Sequence, residues 1–102
     1  MTTKGIGLCR TERVYTHGKT RIAAPTEALL GIQAKLLEEC GELVKAPTCV
    51  SEYADVIQVV YDMAYLNGIS QEAVKSAIDA KYQRAGGLIS DVTGLALIWE
   101  PL

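Results

Sequence analysis

The middle of the chain is punctuated so that it reads as a series of helices. Pro25 suits the first position of a helix, where its fixed φ is already helical and its missing N–H would have no partner anyway. Pro47 ends the run, because it disfavours helical backbone at the residue before it. Between them Leu29, Ile32, Leu36, Leu43 and Val44 recur at helical spacing, which predicts a helix over residues 25–45 with Glu27 in its favourable first turn. Thr48 or Ser51 is the expected cap of a second helix. Its apolar stripe is Val50, Ala54, Ile57, Val60 with Tyr61, and Ala64, and Asn67-Gly68 is its stop. Ser70 caps a third segment, QEAVKSAIDAKYQRA, which ends at Gly86-Gly87.

The ends read differently. RVYTHGKTRI has the look of a short hairpin turning at His17-Gly18. The tail LISDVTGLALIWEPL reads as extended, with LALIW a short strand beside the N-terminal segment and Trp99 packed as its anchor. The expected fold class is therefore all-α, with three main helices and short extended or β ends. It makes a single domain over residues 1–102 whose helical core spans about 25–86.

Composition excludes several function classes. The net charge is −2, so the chain has no basic footprint for nucleic acid. No run approaches the roughly 18 apolar residues of a membrane span, and MTTKGIGLCR lacks the apolar block of a secretory signal. The three cysteines, Cys9, Cys40 and Cys49, have no CxxC spacing, and with one histidine in the whole chain a zinc site built from Cys and His is not expected. Reduced thiols and a cytoplasmic location fit best, with Cys40 and Cys49 as small buried residues. Yet 49% of residues are apolar, which is rich for so short a chain. Either the core is well filled or apolar surface is buried between subunits.

The chemistry concentrates in LLEECGELVKAPTCVSEYAD. Glu39 and Glu42 are three apart and share a helix face, as do Glu52 and Asp55 on the next helix. A short connection implies antiparallel packing, which brings both pairs toward the loop end of the hairpin. Four carboxylates in a partly buried groove either take up protons or bind a cation. Oxygen-only ligands suit Mg²⁺ or Mn²⁺, and carboxylate-bound magnesium suits phosphate chemistry. Gly41, inside the first helix, suggests close approach of a ligand or another helix, and Asp62 extends the acidic stripe. The alternative, i,i+3 acids as a merely solvated face, is weakened by the doubling of the motif. A di-iron bundle built on Glu-x-x-His pairs lacks its histidine, since His17 lies outside the helices.

EcGEL followed by EyaDV resembles the ExxE and ExxD motifs of the MazG-like all-α nucleotide pyrophosphohydrolases. KLLEECGELVKA, SEYADVIQVVYDMAYLNGIS and RAGGL are most similar to its branch related to phosphoribosyl-ATP pyrophosphohydrolase, over roughly residues 29–98. The resemblance implies dimers or tetramers with four-helix bundles completed between subunits. It implies cleavage of the α–β phosphoanhydride of a nucleotide to a monophosphate and pyrophosphate. Carried over, Glu39, Glu42, Glu52 and Asp55 become magnesium ligands. Glu38 becomes a second-metal ligand or, with Glu39, part of the catalytic machinery that orients water. Lys81 and Arg84 become phosphate-reaching residues, though as cations in the last turns of a helix they also suit its C-terminus. Asp62 joins them as substrate-binding; Tyr61 and Tyr65, one turn apart, read as core. Nine residues separate Glu42 from Glu52, a shorter gap than the family's, and Leu88 replaces the aromatic of its RGGF-like ending. The expected function is house-cleaning hydrolysis of nucleoside triphosphates. The alternatives are the phosphoribosyl-ATP step of histidine biosynthesis and a non-catalytic nucleotide- or partner-binding helical protein.

Overall fold

Pro25 begins the first helix as its geometry dictates. The computed structural model, which describes residues 7–9 and 18–102, is all-α, with α1 at Pro25–Lys45, α2 at Val50–Leu66 and α3 at Gln71–Ala85. The chain divides into two compact units, Met1–Ser70 and Gln71–Leu102. The expected hairpin at His17-Gly18 lies, apart from Gly18, outside the described residues.

At the start of α1 the N-cap is Ala24, which has no side chain to cap with. Glu27 supplies the missing bond from the other side: its Oε1 accepts from the Ala24 N–H at 2.9 Å. At the other end the Ala46 N–H donates to the carbonyls of Glu42 and Leu43, and Pro47 stops the helix. Only residues 46–49 separate α1 from α2, and Tyr53 pins the turn by donating to the Pro47 carbonyl at 2.8 Å. The expected caps Thr48 and Ser51 are not used. Cys49 is the N-cap of α2 without capping it, since its sulfur pairs with the Ser51 hydroxyl at 3.1 Å. Asn67-Gly68 ends α2 as anticipated. Gly68 has φ +78°, its N–H donates to the Tyr65 carbonyl, and the Ile69 N–H donates to the Ala64 carbonyl. These paired bonds make a Schellman stop, which needs a residue free to adopt positive φ.

α1 packs against α2 as a helical hairpin. Its inner face buries Ile32, Val59 and the charged Glu39. Most of the stripe expected to form the core of α2 faces outward: Val50 is 81% exposed and Ile57 53%, while Tyr61 and Ala64 are half-buried. Ile57 and the buried Val59 are two residues apart, roughly 200° around the helix, so one faces out when the other faces in. Val44, counted with the core of α1, is likewise exposed, with Leu30 and Leu37. Among the described residues, a Cβ at position 41 would meet nothing within 4 Å. The tight glycine is Gly31, where a Cβ would come within 2.7 Å of Leu8 Cγ. Cys40 is half-buried and Cys49 exposed, and all three cysteines are free thiols.

In the second unit α3 stops at Gly86, φ +70°, whose N–H donates to the Tyr82 carbonyl. LALIW forms no strand. A single antiparallel bridge joins Ile89 to Ala96 around a turn whose backbone N–H groups at Val92 and Thr93 donate to the Ser90 hydroxyl. Tyr82 donates to the Asp91 carboxylate. Trp99, expected to be packed as an anchor, is 83% exposed beside exposed Leu97 and Ile98. Among the described residues, no helix is long and apolar enough to cross a membrane.

Candidate metal centre

The hairpin brings three of the four expected ligands together. One carboxylate oxygen from each of Glu39, Glu52 and Asp55 lies within 4.8 Å of the others. Glu39 comes from the late part of α1, and Glu52 and Asp55 from the first turns of α2. The four-residue connection is what places these stretches side by side. Glu42, one turn beyond Glu39, is exposed and outside this tight group, though near enough for its charge to act on Glu52.

Glu39 is the unusual member. It is 8% exposed, and its Oε2 is buried with no hydrogen-bond partner among the described residues. A buried carboxylate oxygen without a partner bears the desolvation cost of a charge with nothing to offset it. Glu52 shows the same crowding: burial and then the charges of Asp55, Glu42 and Glu39 push its pKa up, and it shares a hydrogen bond with Asp55. An all-oxygen donor set with an orphaned buried oxygen fits a hard divalent cation. The residues that fit are Glu39, Glu52 and Asp55, with Glu42 adjacent.

Glu38 behaves differently from its neighbour. It is ion-paired to Lys35 at 2.7 Å, and that ammonium holds its carboxyl below the usual range. Lys35 was not anticipated from the sequence, yet its position four residues before Glu39 places it on the same inner face.

Beside the carboxylates lies a cavity of about 320 Å³, at the lower end of small-ligand sites. Ile32 and Lys35 of α1 and Asp55, Gln58, Val59 and Asp62 of α2 line it. Tyr65 and Leu66 continue the wall, and Leu8, seated over Gly31, closes another side. Tyr65 is thus a cavity residue, 78% exposed, rather than core. Asp62 accepts from the Gln58 amide at 3.0 Å. Lys81 and Arg84 lie on α3, in the other compact unit, and both are exposed. Compared with known proteins, the chain matches no family model, no curated protein and no solved structure.

Proposed function

We propose that the chain is a Mg²⁺-dependent nucleotide pyrophosphohydrolase of the MazG-like kind, working in a cytoplasmic setting on nucleoside triphosphates. The observation that carries this reading is the convergence of Glu39, Glu52 and Asp55 around an orphaned buried oxygen, with Asp55 also lining a ligand-sized cavity. Mn²⁺ would suit the same donors. When bound, the cation supplies charge neutralisation for a phosphoanhydride whose leaving group carries added negative charge.

The chain's own residues have separate tasks in this reading. Glu39, Glu52 and Asp55 hold the cation, with Glu42 adding charge at the rim. Glu38, kept ionised by Lys35, is an acceptor that orients a water molecule for attack on phosphorus. Its lowered pKa makes it a weak proton acceptor, so its role is orientation more than proton removal. The water oxygen adds to the α-phosphorus and its proton passes to bulk water, the bond to the bridging oxygen breaks with its electron pair going to pyrophosphate, and a monophosphate and pyrophosphate leave. Lys35 is the cation in the cavity wall of the same unit, and Lys81 and Arg84 remain candidates for phosphate contact.

Self-association goes with this reading. Only Ile32 and Val59 are buried apolar residues among those described, while Val50, Tyr53, Ile57 and Val60 expose a seam on α2 at heptad spacing. Leu30, Leu37 and Val44 do so on α1, and Gly41, on the same stripe, leaves room for another helix. A dimer or tetramer that pairs these stripes would complete the missing core. Sedimentation is expected to find an assembly larger than the 11.0 kDa chain, dissociated by Ile57→Asp.

The deciding experiment measures pyrophosphate release with Mg²⁺ or Mn²⁺ from a panel of ribo- and deoxynucleoside triphosphates and phosphoribosyl-ATP. Release is expected to need metal and to fall at least about a hundredfold in Glu39→Gln. No release from any substrate by a protein that still binds metal overturns the reading in favour of a binding protein.

A further inference from the structure

Charge is unevenly placed around the cavity. Of the charged residues that line it, Asp55 and Asp62 are acidic and Lys35 is basic. The carboxylates grouped with Asp55 add the charges of Glu39 and Glu52. An anion that enters is repelled by most of the charge it meets. A ligand bearing phosphate therefore needs a cation in the wall, besides any cation that the carboxylates hold.

Lys35 is built into that position. Ile32, three residues before it, and Glu39, four residues after it, are both buried, so Lys35 shares the face of α1 that is turned to α2. Its side chain is half-buried, and its Nζ donates to Glu38 Oε1 at 2.7 Å. That bond places the ammonium in advance and lowers the rotamer entropy that a long side chain would otherwise lose on binding. An ammonium has three N–H donors, so Lys35 can bridge Glu38 and a second anion. The remaining wall suits the uncharged body of such a ligand: Ile32, Val59 and Leu66 are apolar, and Tyr65 is aromatic.

We infer that Lys35, held in place by Glu38, is the residue that contacts the phosphate of the ligand in this cavity. The ligand class is an organic phosphate, with its anionic end at Lys35 and its body along the apolar wall. The inference rests on the proposed nucleotide site and names the side chain that offsets the site's own negative charge when a phosphate enters.

Binding, rather than turnover, tests it. Two probes are titrated calorimetrically into the full chain in saturating Mg²⁺: inorganic pyrophosphate and the non-hydrolysable α,β-imido analogue of dATP. Lys35→Met is expected to weaken both by about tenfold, the scale of one hydrogen bond to a charged group. Lys35→Arg, which keeps the charge and the donors, should weaken them by no more than about threefold. The tenfold loss should persist in about 1 M salt, where a screening length of about 3 Å removes the effect of a distant charge and spares a contact. Mn²⁺ alone should bind Lys35→Met at least as tightly as the wild type, because the substitution takes a cation away from the carboxylates. A merely structural role for Lys35 would weaken metal and phosphate together, and that outcome overturns the inference. So do equal affinities of wild type and Lys35→Met for the probes, a loss that disappears in high salt, and failure of both probes to bind. Lys35-dependent binding of both probes without pyrophosphate release from the natural triphosphates would sink the hydrolase reading and leave the assignment of Lys35 standing. Release with a KM unchanged in Lys35→Met would do the reverse.

Discussion

Glu27 and Glu52 are the same side chain under opposite conditions. Glu27, at the start of α1, accepts from both terminal nitrogens of Arg21, at 2.8 and 2.7 Å, and from the Ala24 N–H. Those bonds, the Arg21 pair foremost, hold its carboxyl down to about 2. Glu52, in the first turn of α2, is crowded by Asp55, Glu42 and Glu39, and burial and their charges push its carboxyl up. One carboxylate is completed by the chain's own groups and does a structural job, closing the N-terminus of a helix. The other belongs to a group whose charge the chain concentrates. Concentrated negative charge with an unpartnered buried oxygen marks a place where stability has been given up, as functional sites often do.

The comparison is sharpened most by adding the cation. A ligand that binds only the folded state at a hundred times its Kd stabilises by about 2.7 kcal/mol. For a domain of this size each kcal/mol moves Tm by about 4–8 °C. Saturating Mg²⁺ or Mn²⁺ is therefore expected to raise Tm by about 10 °C or more. Glu39→Gln should abolish that response and, by removing one of the crowded charges, melt higher than the wild type without metal. Glu27→Gln should keep the full metal response. An unchanged wild-type Tm in both metals would erase the distinction between Glu27 and the carboxylates grouped around Glu52.

The sequence carried the helices and their stops because local chemistry decides them. Pro25, Pro47, Gly68 and Gly86 act on the backbone at their own positions and need no tertiary context. The carboxylates were legible for a similar reason: i,i+3 spacing fixes a shared face, and a short connection fixes which faces meet. The core of α2 was not legible. Its apolar stripe at Val50, Ile57 and Val60 is the stronger pattern, while the face turned to α1 mixes Val59 with Glu52 and Asp55. A hydrophobic period says which residues avoid water, without saying whether the same chain or another covers them. Gly31 was missed because its close approach depends on Leu8, distant in sequence. LALIW has strand composition, but beyond the bridge at Ala96 it has no strand beside it among the described residues.

The smaller effect lies in the pH dependence of the metal-free protein, where the two glutamates should pull in opposite directions. The folded pKa of Glu52 is raised, so its contribution is fully present below the unfolded carboxyl value of about 4.3 and is lost as pH rises through the folded value. That of Glu27 is depressed, so its contribution is present above about 4.3 and is lost as pH falls toward about 2. Without metal, Tm should therefore rise as pH falls through the raised value of Glu52 and fall again below about 4. Glu52→Gln should flatten the first limb and Glu27→Gln the second. Saturating Mg²⁺ should reverse the first limb, because protons then compete with the cation for the same oxygens. Both limbs are modest, since Glu27 is exposed and its pairing with Arg21 is screened by salt. A metal-free wild type whose Tm falls steadily from pH 7 downward would mean that Glu52 is as well satisfied as Glu27, and the candidate centre would lose its electrostatic basis.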